Sequence, residues 1–441
     1  MTDIAPTRPK IERTTAENQI VAHFQALHGD LPSGDGIELN RAGAIASFER
    51  DGLPTRRVEE WKYTDLRALM HEAAPLALRP SAEEMAKGLE KAEVFTDLSA
   101  SRIDFVNGYL AGADSALEGV AVIPFAQALA ENHPALSNLN RVEVARGNAL
   151  LGLNTAFLTD GVIVHVAEEQ AIATPLHLRF VNQGEAPFAT APRVLVVVDK
   201  GASLTIVETH ESAIAVQPNS VVEFVIGDNA RVEHVRVNAE ASDALAMSTL
   251  TAVIGAKADF HSINVLAGAK VSRHQLFVAY EGENAHVTLG GITVISGNEH
   301  ADTTLVVDHA VPGGESRELF KTVIAGDATG VFQGKIIVRP DAQKTDGRMM
   351  SAALLVSPGA TMNNKPELEI WADDVQCAHG ATCGELDHEL LFYLMARGLP
   401  RAEAEALLLQ AFIGEALELI TDETMREAVS AVAVKRVANL P

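Results

Sequence analysis

The spacing of apolar residues divides the chain into three parts. In residues 1–155, apolar side chains recur every three or four positions, for example over 16–27 and 40–50, which predicts helices. In residues 156–380, short runs of β-branched and aliphatic residues are separated by glycine-containing turns, which predicts strands. In residues 381–441 the helical spacing returns. We therefore expect a mainly β core between an N-terminal and a C-terminal α-helical region.

The predicted turns of the central region recur at a nearly constant spacing. Their glycines are separated by 28, 13, 14 and 15 residues, at positions Gly227, Gly255, Gly268, Gly282 and Gly297. A recurring unit without identity of sequence is typical of stacked rungs. The alternatives are a large β-sandwich and a β-solenoid. The regular spacing, together with an aromatic content of only 5%, favours a β-helix.

The spacing of apolar residues in the C-terminal region predicts three helices. Gly398 is a typical residue to end the first of them, and Pro400 is a typical residue to begin the second. One apolar stripe of the second helix and its end contains Leu408, Phe412 and Leu419. The stripe fits either the core of this region or a contact with a partner protein, and its spacing does not separate the two.

Composition and charge exclude several classes of protein. The formal net charge of −24 would repel a phosphate backbone, so we expect no nucleic-acid partner. No segment approaches 18 uninterrupted apolar residues, so we expect no membrane span. The first 13 residues lack the apolar run of a secretory signal. These features predict a soluble, cytoplasmic protein.

The segment 330–336 has some likeness to a phosphate-binding loop. A Walker A motif needs four residues between its glycines and a Ser or Thr after its lysine. Here three residues separate Gly330 from Gly334, and Ile336 follows Lys335. We therefore expect no nucleotide site and no enzymatic activity of the chain itself, so that any use of ATP would depend on the ATPase of a partner.

Both cysteines of the chain lie close to a histidine. If residues 367–379 form one strand, as their alternation suggests, Cys377 and His379 project from the same face. With Cys383, they offer ligands suited to zinc, iron or an iron-sulfur cluster. Inert thiols, a closed metal site and a transient or shared metal site all remain open. A cysteine nucleophile is disfavoured, because no third group that would orient the histidine is evident.

Two further groups of residues have structural interpretations. The histidines of the central region, among them His210 and His234, lack the spacing of metal ligands, and we interpret them as residues of solvated strand faces. Trp61 stands in a dense group of charged and aromatic residues. We interpret it as an anchor that packs the N-terminal region against its neighbour.

Six segments of the chain carry distinctive motifs, and these are Glu60–Leu66, Gly330–Ile336, Asp341–Gly347, Lys365–Ile370, Asp373–Thr382 and Leu391–Leu394. They resemble motifs of the SufB/SufD family of iron-sulfur cluster assembly proteins. The resemblance covers nearly the whole length, and the Cys-x-His-Gly form at residue 377 is closer to the SufD branch than to the SufB branch.

The resemblance implies a right-handed parallel β-helix between helical regions. It also implies a scaffold role in a complex with SufB and the ATPase SufC, whose contact would lie in the C-terminal region. No cofactor would be permanently bound, and His379 and Cys377 would hold iron or a nascent cluster transiently, shared with SufB. Cys383 departs from the family pattern and is either incidental or an additional ligand. A homodimer of the isolated chain is a further possibility.

Two other functions remain as alternatives. One is a β-helix protein with a closed, purely structural zinc site. The other is a β-helix enzyme that acts on polysaccharide, which would require a groove lined with carboxylates and exposed aromatic residues. The low aromatic content disfavours this enzyme.

Overall fold

The computed structural model describes residues 12–34, 37–114 and 119–440. Of the first 13 residues, which lack the apolar run of a secretory signal, residues 1–11 lie outside the described part. The α-helices of the described residues are α1 (Thr15–Leu27), α2 (Ile37–Asp51), α3 (Leu66–Leu69), α4 (Ala82–Leu89), α5 (Phe125–Ala130), α6 (Ala149–Phe157), α7 (His388–Ala396), α8 (Arg401–Leu417) and α9 (Glu423–Ala438). Short 3₁₀ helices span Glu59–Trp61, Pro134–Asn138 and Glu143–Ala145.

The strands of the described residues are β1 (Ser101–Val106), β2 (Tyr109–Ala113), β3 (Val120–Pro124), β4 (Gly161–Val166), β5 (Leu176–Asn182), β6 (Phe188–Thr190), β7 (Arg193–Val198), β8 (Ser203–Ser212), β9 (Val216–Ile226), β10 (Arg231–Ala239), β11 (Leu245–Ile254), β12 (Asp259–Leu266), β13 (Val271–Tyr280), β14 (His286–Ile295), β15 (His300–His309), β16 (Glu315–Ile324), β17 (Thr329–Val338), β18 (Asp346–Leu355), β19 (Thr361–Ile370) and β20 (Gln376–Gly384).

From β4 to β20 the chain winds as a parallel β-solenoid of about eight turns, which confirms the β-helix prediction. Successive strands alternate between two sheets. We call the sheet that ends at β20 sheet I and the sheet that ends at β19 sheet II. Arg231 pairs in register with Asp259, 28 residues later, so one coil contains two of the 14-residue units seen in the sequence. The last strand ends at Gly384, four residues beyond the predicted boundary at 380.

The main hydrophobic core fills the space between the two sheets. Side chains alternate along each strand, so every second residue points inward and stacks on its register partner in the next coil. Val232 and Phe260 form one such inward step and are almost fully buried. Each buried aliphatic or aromatic side chain of this kind contributes about 1.5–3 kcal/mol of transfer free energy. Repeated over the coils, these steps hold the two sheets together.

The N-terminal region contains strands as well as helices. Helices α1 and α2 confirm the two predicted helical segments, and α1 begins with a capping box between Thr14 and Glu17. The expectation of a mainly helical region is wrong for β1, β2 and β3, which extend the two sheets. β1 forms a local antiparallel pair with β2 on one side, and on the other side it pairs parallel to β5, whose residues are about 75 positions away. Such long-range pairing overrides local helical spacing.

The helices α8 and α9 cover the outer face of sheet I. Ile413 and Val429 are fully buried and pack in one cluster with Val235, Ile263 and Ile292 of the solenoid. The C-terminal helices are therefore an integral part of the fold. Among the helices of the described residues, none is long and apolar enough to cross a membrane.

Candidate functional site

The predicted single strand over residues 367–379 is wrong. The chain leaves sheet II at Ile370 and enters sheet I at Gln376, so β19 and β20 belong to different sheets. The turn between them is held by a hydrogen bond from the Trp371 backbone N–H to the Val338 carbonyl oxygen, 2.9 Å long. Trp371, the first residue of this turn, is 64% exposed.

The last coil of the solenoid is uncovered. Within the described part of the chain, β19 pairs only with β17 and β20 only with β18, so each presents a free edge. Most residues of β20 are exposed, and those of β19 are half-buried or exposed. Free, long strand edges readily pair with another chain unless something covers them. We refer to β19, β20 and the turn between them as the open end.

Cys377 and His379 lie on the open end and face the same way, as predicted from their spacing. Cys377 is the register partner of Gly347, and His379 is the register partner of Met349. The Cys377 side chain is half-buried and packs against the main core, whereas His379 is exposed. These two potential ligands therefore mark the point where the interior of the solenoid meets its surface.

The environment of Cys377 favours a protonated thiol. Burial raises the pKa of the Cys377 thiol above its usual value, and the hydrogen bond with the Gly347 backbone opposes this only in part. A metal that binds this sulfur would have to displace its proton. This arrangement suits a ligand that is engaged only when metal arrives.

Cys383 lies too far along the strand to join the same mononuclear site. It points to the same face of β20, but four residues of strand place it about 13 Å from His379. Asp387 is engaged as the N-cap of α7, where it accepts hydrogen bonds from the backbone N–H groups of Glu389 and Leu390. Among the described residues, no group of three or more His, Cys, Asp or Glu side chains is arranged to hold a metal ion.

The glycines of segment 330–336 make room for methionines. A Cβ atom on Gly334 would lie 2.4 Å from the Met349 sulfur, and one on Gly330 would lie 2.9 Å from the Met362 sulfur. Both positions point toward the interior of the solenoid. The glycine spacing therefore serves packing directly beneath the open end, in agreement with the absence of a Walker A pattern.

The interpretation of the central histidines as solvated is wrong for several of them. His210 and His234 are buried inside the solenoid, and each contacts the buried carboxylate of Glu208, at 2.5 and 3.0 Å. Burial acts to raise the pKa of Glu208, but the hydrogen bonds from the two histidines and the charge of Arg236 lower it well below its usual value. The network spans β8 and β10, several coils from the open end, and its groups satisfy one another.

The apolar surface of the C-terminal helices differs from the predicted stripe. Phe412 and Leu419 are partly buried against the outer face of sheet I, and the Lys321 ammonium lies 4.6 Å from the centre of the Phe412 ring. Leu408 is half-buried. The exposed large side chains instead lie mainly on α7 and are Leu390, Phe392, Tyr393 and Met395, with Leu407 on α8.

The sequence carried a signal for this exposed surface. The segment of α7 is apolar on all sides, which in a short helix at the surface leaves some of these side chains without a core to enter. Phe392, at 74% exposure, is the most exposed of them. We call Leu390, Phe392, Tyr393, Met395 and Leu407 the α7 patch.

Two family models match most of the chain. A family model described as "SUF system FeS cluster assembly, SufBD core domain" matches residues 180–412, and one described as "SufBD protein N-terminal region" matches residues 14–178. The chain belongs to the SufBD family of the SUF system for iron-sulfur cluster assembly. The core match covers the solenoid from β5 onward and most of α8.

Two relatives cover nearly the whole SufBD chain. An iron-sulfur cluster assembly SufBD family protein of Synechocystis sp. is 32% identical over 92% of this chain and 93% of its own length. The iron-sulfur cluster assembly protein SufD of Escherichia coli is 32% identical over 87% of this chain and 89% of its own length. A SufBD family protein of Pyrococcus horikoshii is 27% identical over 71% of this chain and 70% of its own length.

Proposed function

We propose that this SufBD protein is a scaffold subunit whose open end docks against a SufB-like partner, and that nascent iron-sulfur clusters are built at the contact. The observation that supports this most directly is the uncovered last coil, which carries Cys377 and His379 on one face. A free strand edge favours pairing with another β structure. The docking surface and the candidate ligands thus coincide.

The ligand chemistry supports a shared site. Thiolate sulfur and imidazole nitrogen both ligate iron-sulfur clusters. Cys377 and His379 supply one of each, which is fewer than the four protein ligands that a cluster usually has. The remaining ligands would come from the partner, because the Cys383 thiol is too distant along β20 to bind the same iron. A site divided between two chains can release its cluster when the chains separate or rearrange.

The energy for assembly would come from a SufC-like ATPase. The α7 patch is the surface we assign to that contact, because large apolar side chains exposed together mark sites of protein association. The predicted stripe of Leu408, Phe412 and Leu419 would then support the patch from below, with Phe412 and Leu419 packed on sheet I. In this account the chain itself carries out no catalysis and works in the cytoplasm.

Co-expression tests the proposal. The chain would be expressed with SufB-type and SufC-type proteins, purified anaerobically by a tag on this chain, and assayed for iron and acid-labile sulfide. We expect all three proteins to co-purify with iron and sulfide. Isolation of the chain without either partner would contradict the proposal, and one equivalent of zinc per chain after aerobic purification would favour the structural zinc protein. A homodimer would appear as a doubled mass in light scattering of the isolated chain.

A further inference from the structure

Residues 59–64 cross four successive strands of sheet II. They contact residues of β13, β15, β17 and finally β19, the last strand before the open end. We call this segment the brace. It is the most unusual stretch of the N-terminal region in composition, and no part of the docking proposal above uses it.

The brace is anchored by a buried cation and an aromatic ring. Trp61 is buried, and the Arg273 guanidinium carbon lies 3.8 Å from the centre of its ring. Arg273 also forms a fully buried ion pair with Asp302 and donates a 2.7 Å hydrogen bond to the Glu60 carbonyl oxygen. The Thr64 hydroxyl donates to the same Asp302 carboxylate. The brace is therefore fixed firmly to β13 and β15.

From this anchor the brace reaches the open end. Gln333 of β17 donates a 3.0 Å hydrogen bond to the Glu60 carbonyl oxygen. Lys365 of β19 pairs with the Glu59 carboxylate and, at 3.1 Å, with Glu367 of its own strand. Lys365 is the register partner of Gln333, so both contacts lie in one row across the sheet. The row ends at β19, which pairs with β17 on one edge and is free on the other.

A terminal strand needs such support more than an inner one does. β19 has ladder hydrogen bonds on one side only, and local opening starts at elements with few contacts and exposed hydrogen bonds. An exposed ion pair alone contributes little. Here, however, Glu59 is held next to the rigid Trp61–Arg273 anchor, so less side-chain and backbone freedom is lost when the pair forms.

We propose that the brace positions β19 for docking, and that Lys365 is the positioning residue through which it acts. The inference rests on the proposed function in one respect, that the open end is the docking surface. Lys365 itself touches neither candidate ligand. Its role is to keep the edge strand extended and in register before the partner arrives, so that binding does not have to order it.

Hydrogen exchange measured by mass spectrometry tests the brace in the isolated chain. In Lys365→Met, we expect amide exchange in peptides that cover 361–370 to be at least fivefold faster, while peptides of β11 and β13 keep their rates. Lys365→Arg should restore slow exchange. The matched control is Lys87→Met, which removes the exposed ion pair with Glu83 on α4. Unchanged exchange over 361–370 in Lys365→Met would overturn the proposal.

A second readout separates positioning from general stability. The unfolding midpoint of Lys365→Met should stay close to that of the unsubstituted chain, and its Kd for a SufB-type protein should be about tenfold weaker. A lowered midpoint with unchanged affinity would show a purely structural role and contradict the proposal. If the unsubstituted chain does not bind the SufB-type protein, the docking function fails, whereas the exchange result still decides whether the brace orders β19.

Discussion

His379 and Met349 are register partners on the adjacent parallel strands β20 and β18, about 4.8 Å apart. Met349 is buried in the main core, whereas His379 is exposed. Met349 and His379 therefore belong to one row of inward-facing side chains, which is buried at β18 and exposed one coil later at β20. This position makes the imidazole available to a ligand outside the chain while its strand is supported by packed core residues.

The first prediction concerns the packing beneath His379. In Gly334→Ala the new Cβ would lie 2.4 Å from the Met349 sulfur and 2.8 Å from the Phe332 ring. We expect a loss of about 1–3 kcal/mol in the free energy of unfolding, because the core must shift to admit the methyl group. Urea denaturation measures it.

The control for this prediction is Gly414→Ala. Gly414 lies within α8, and a Cβ there would meet nothing within 4 Å. Alanine is the better helix former, so this variant should gain about 0.5–1 kcal/mol. Equal stability of Gly334→Ala and the unsubstituted protein would show that the segment 330–336 is not required for packing.

A second prediction concerns pH. Burial raises the pKa of Glu240 from 4.5 to about 7, despite the opposing charge of Arg236 and the hydrogen bond from Asn238. The folded protein thus holds a proton that the unfolded chain releases at lower pH. The resulting stability is complete below about pH 4.5 and is lost as the pH rises through about 7.

Glu240→Gln keeps the neutral form at every pH, so it isolates this effect. The stability of the unsubstituted protein relative to this variant should fall by about 3 kcal/mol between pH 4.5 and 8. Chemical denaturation at a series of pH values measures the difference. Glu427→Gln, at an exposed position of α9, is the matched control. A flat difference for Glu240→Gln would mean that Glu240 is charged in the folded protein.

The α7 patch carries a third prediction. Phe392→Ser should weaken binding of a SufC-type ATPase at least tenfold, because Phe392 is the most exposed residue of the α7 patch and large aromatic side chains are typical hot spots of protein interfaces. Calorimetric titration measures the Kd. Leu78→Ser is the control, since Leu78 is 79% exposed and lies outside the patch. Loss of binding in both variants, or in neither, would argue against the patch.

Point variants test the contact with a SufC-type ATPase better than a truncation that removes the chain from Asp387 onward. Removal of α8 and α9 would uncover Val235, Ile263 and Ile292 on sheet I, which are fully buried beneath Ile413 and Val429. Newly exposed apolar area of this kind favours aggregation. A truncated chain that lost SufC binding would therefore not distinguish a missing contact from a disrupted fold.

Much of the fold could be predicted from the sequence because each coil repeats the same local rule. Glycine turns at a regular spacing, together with alternating side chains, predict the solenoid without any long-range information. The turn at residues 371–375 could not be predicted in this way. It contains neither Gly nor Pro, and buried Ala372 continues the alternation of the preceding strand, so the pattern resembles one uninterrupted strand.

The polar interior of the solenoid could not be predicted from the sequence for a related reason. An alternation of apolar and polar residues normally identifies one buried and one solvated face. In β8 the polar residues Glu208 and His210 are themselves inward-facing and buried. Their partners, His234 and Arg236, come from the next strand of sheet I, 26 or more residues later. Only the coiling of the chain reveals that these polar groups satisfy one another.

The shared face of Cys377 and His379 could be predicted from their spacing, but their position on the last strand of the sheet could not. Two residues on one strand face share a surface in any extended conformation. That the strand is the last of its sheet, with a free edge, depends on the whole topology. This property is what turns a Cys-His pair into a candidate for a site shared with another chain.

The most direct test compares the cluster content of His379→Ala, Cys377→Ala and Cys383→Ala, each co-expressed with SufB-type and SufC-type proteins and reconstituted anaerobically. We expect that His379→Ala lowers iron and sulfide per complex severalfold while the three proteins still co-purify, that Cys377→Ala has a smaller effect, and that Cys383→Ala matches the unsubstituted complex. A His379→Ala complex that assembles clusters at the unsubstituted rate would contradict it.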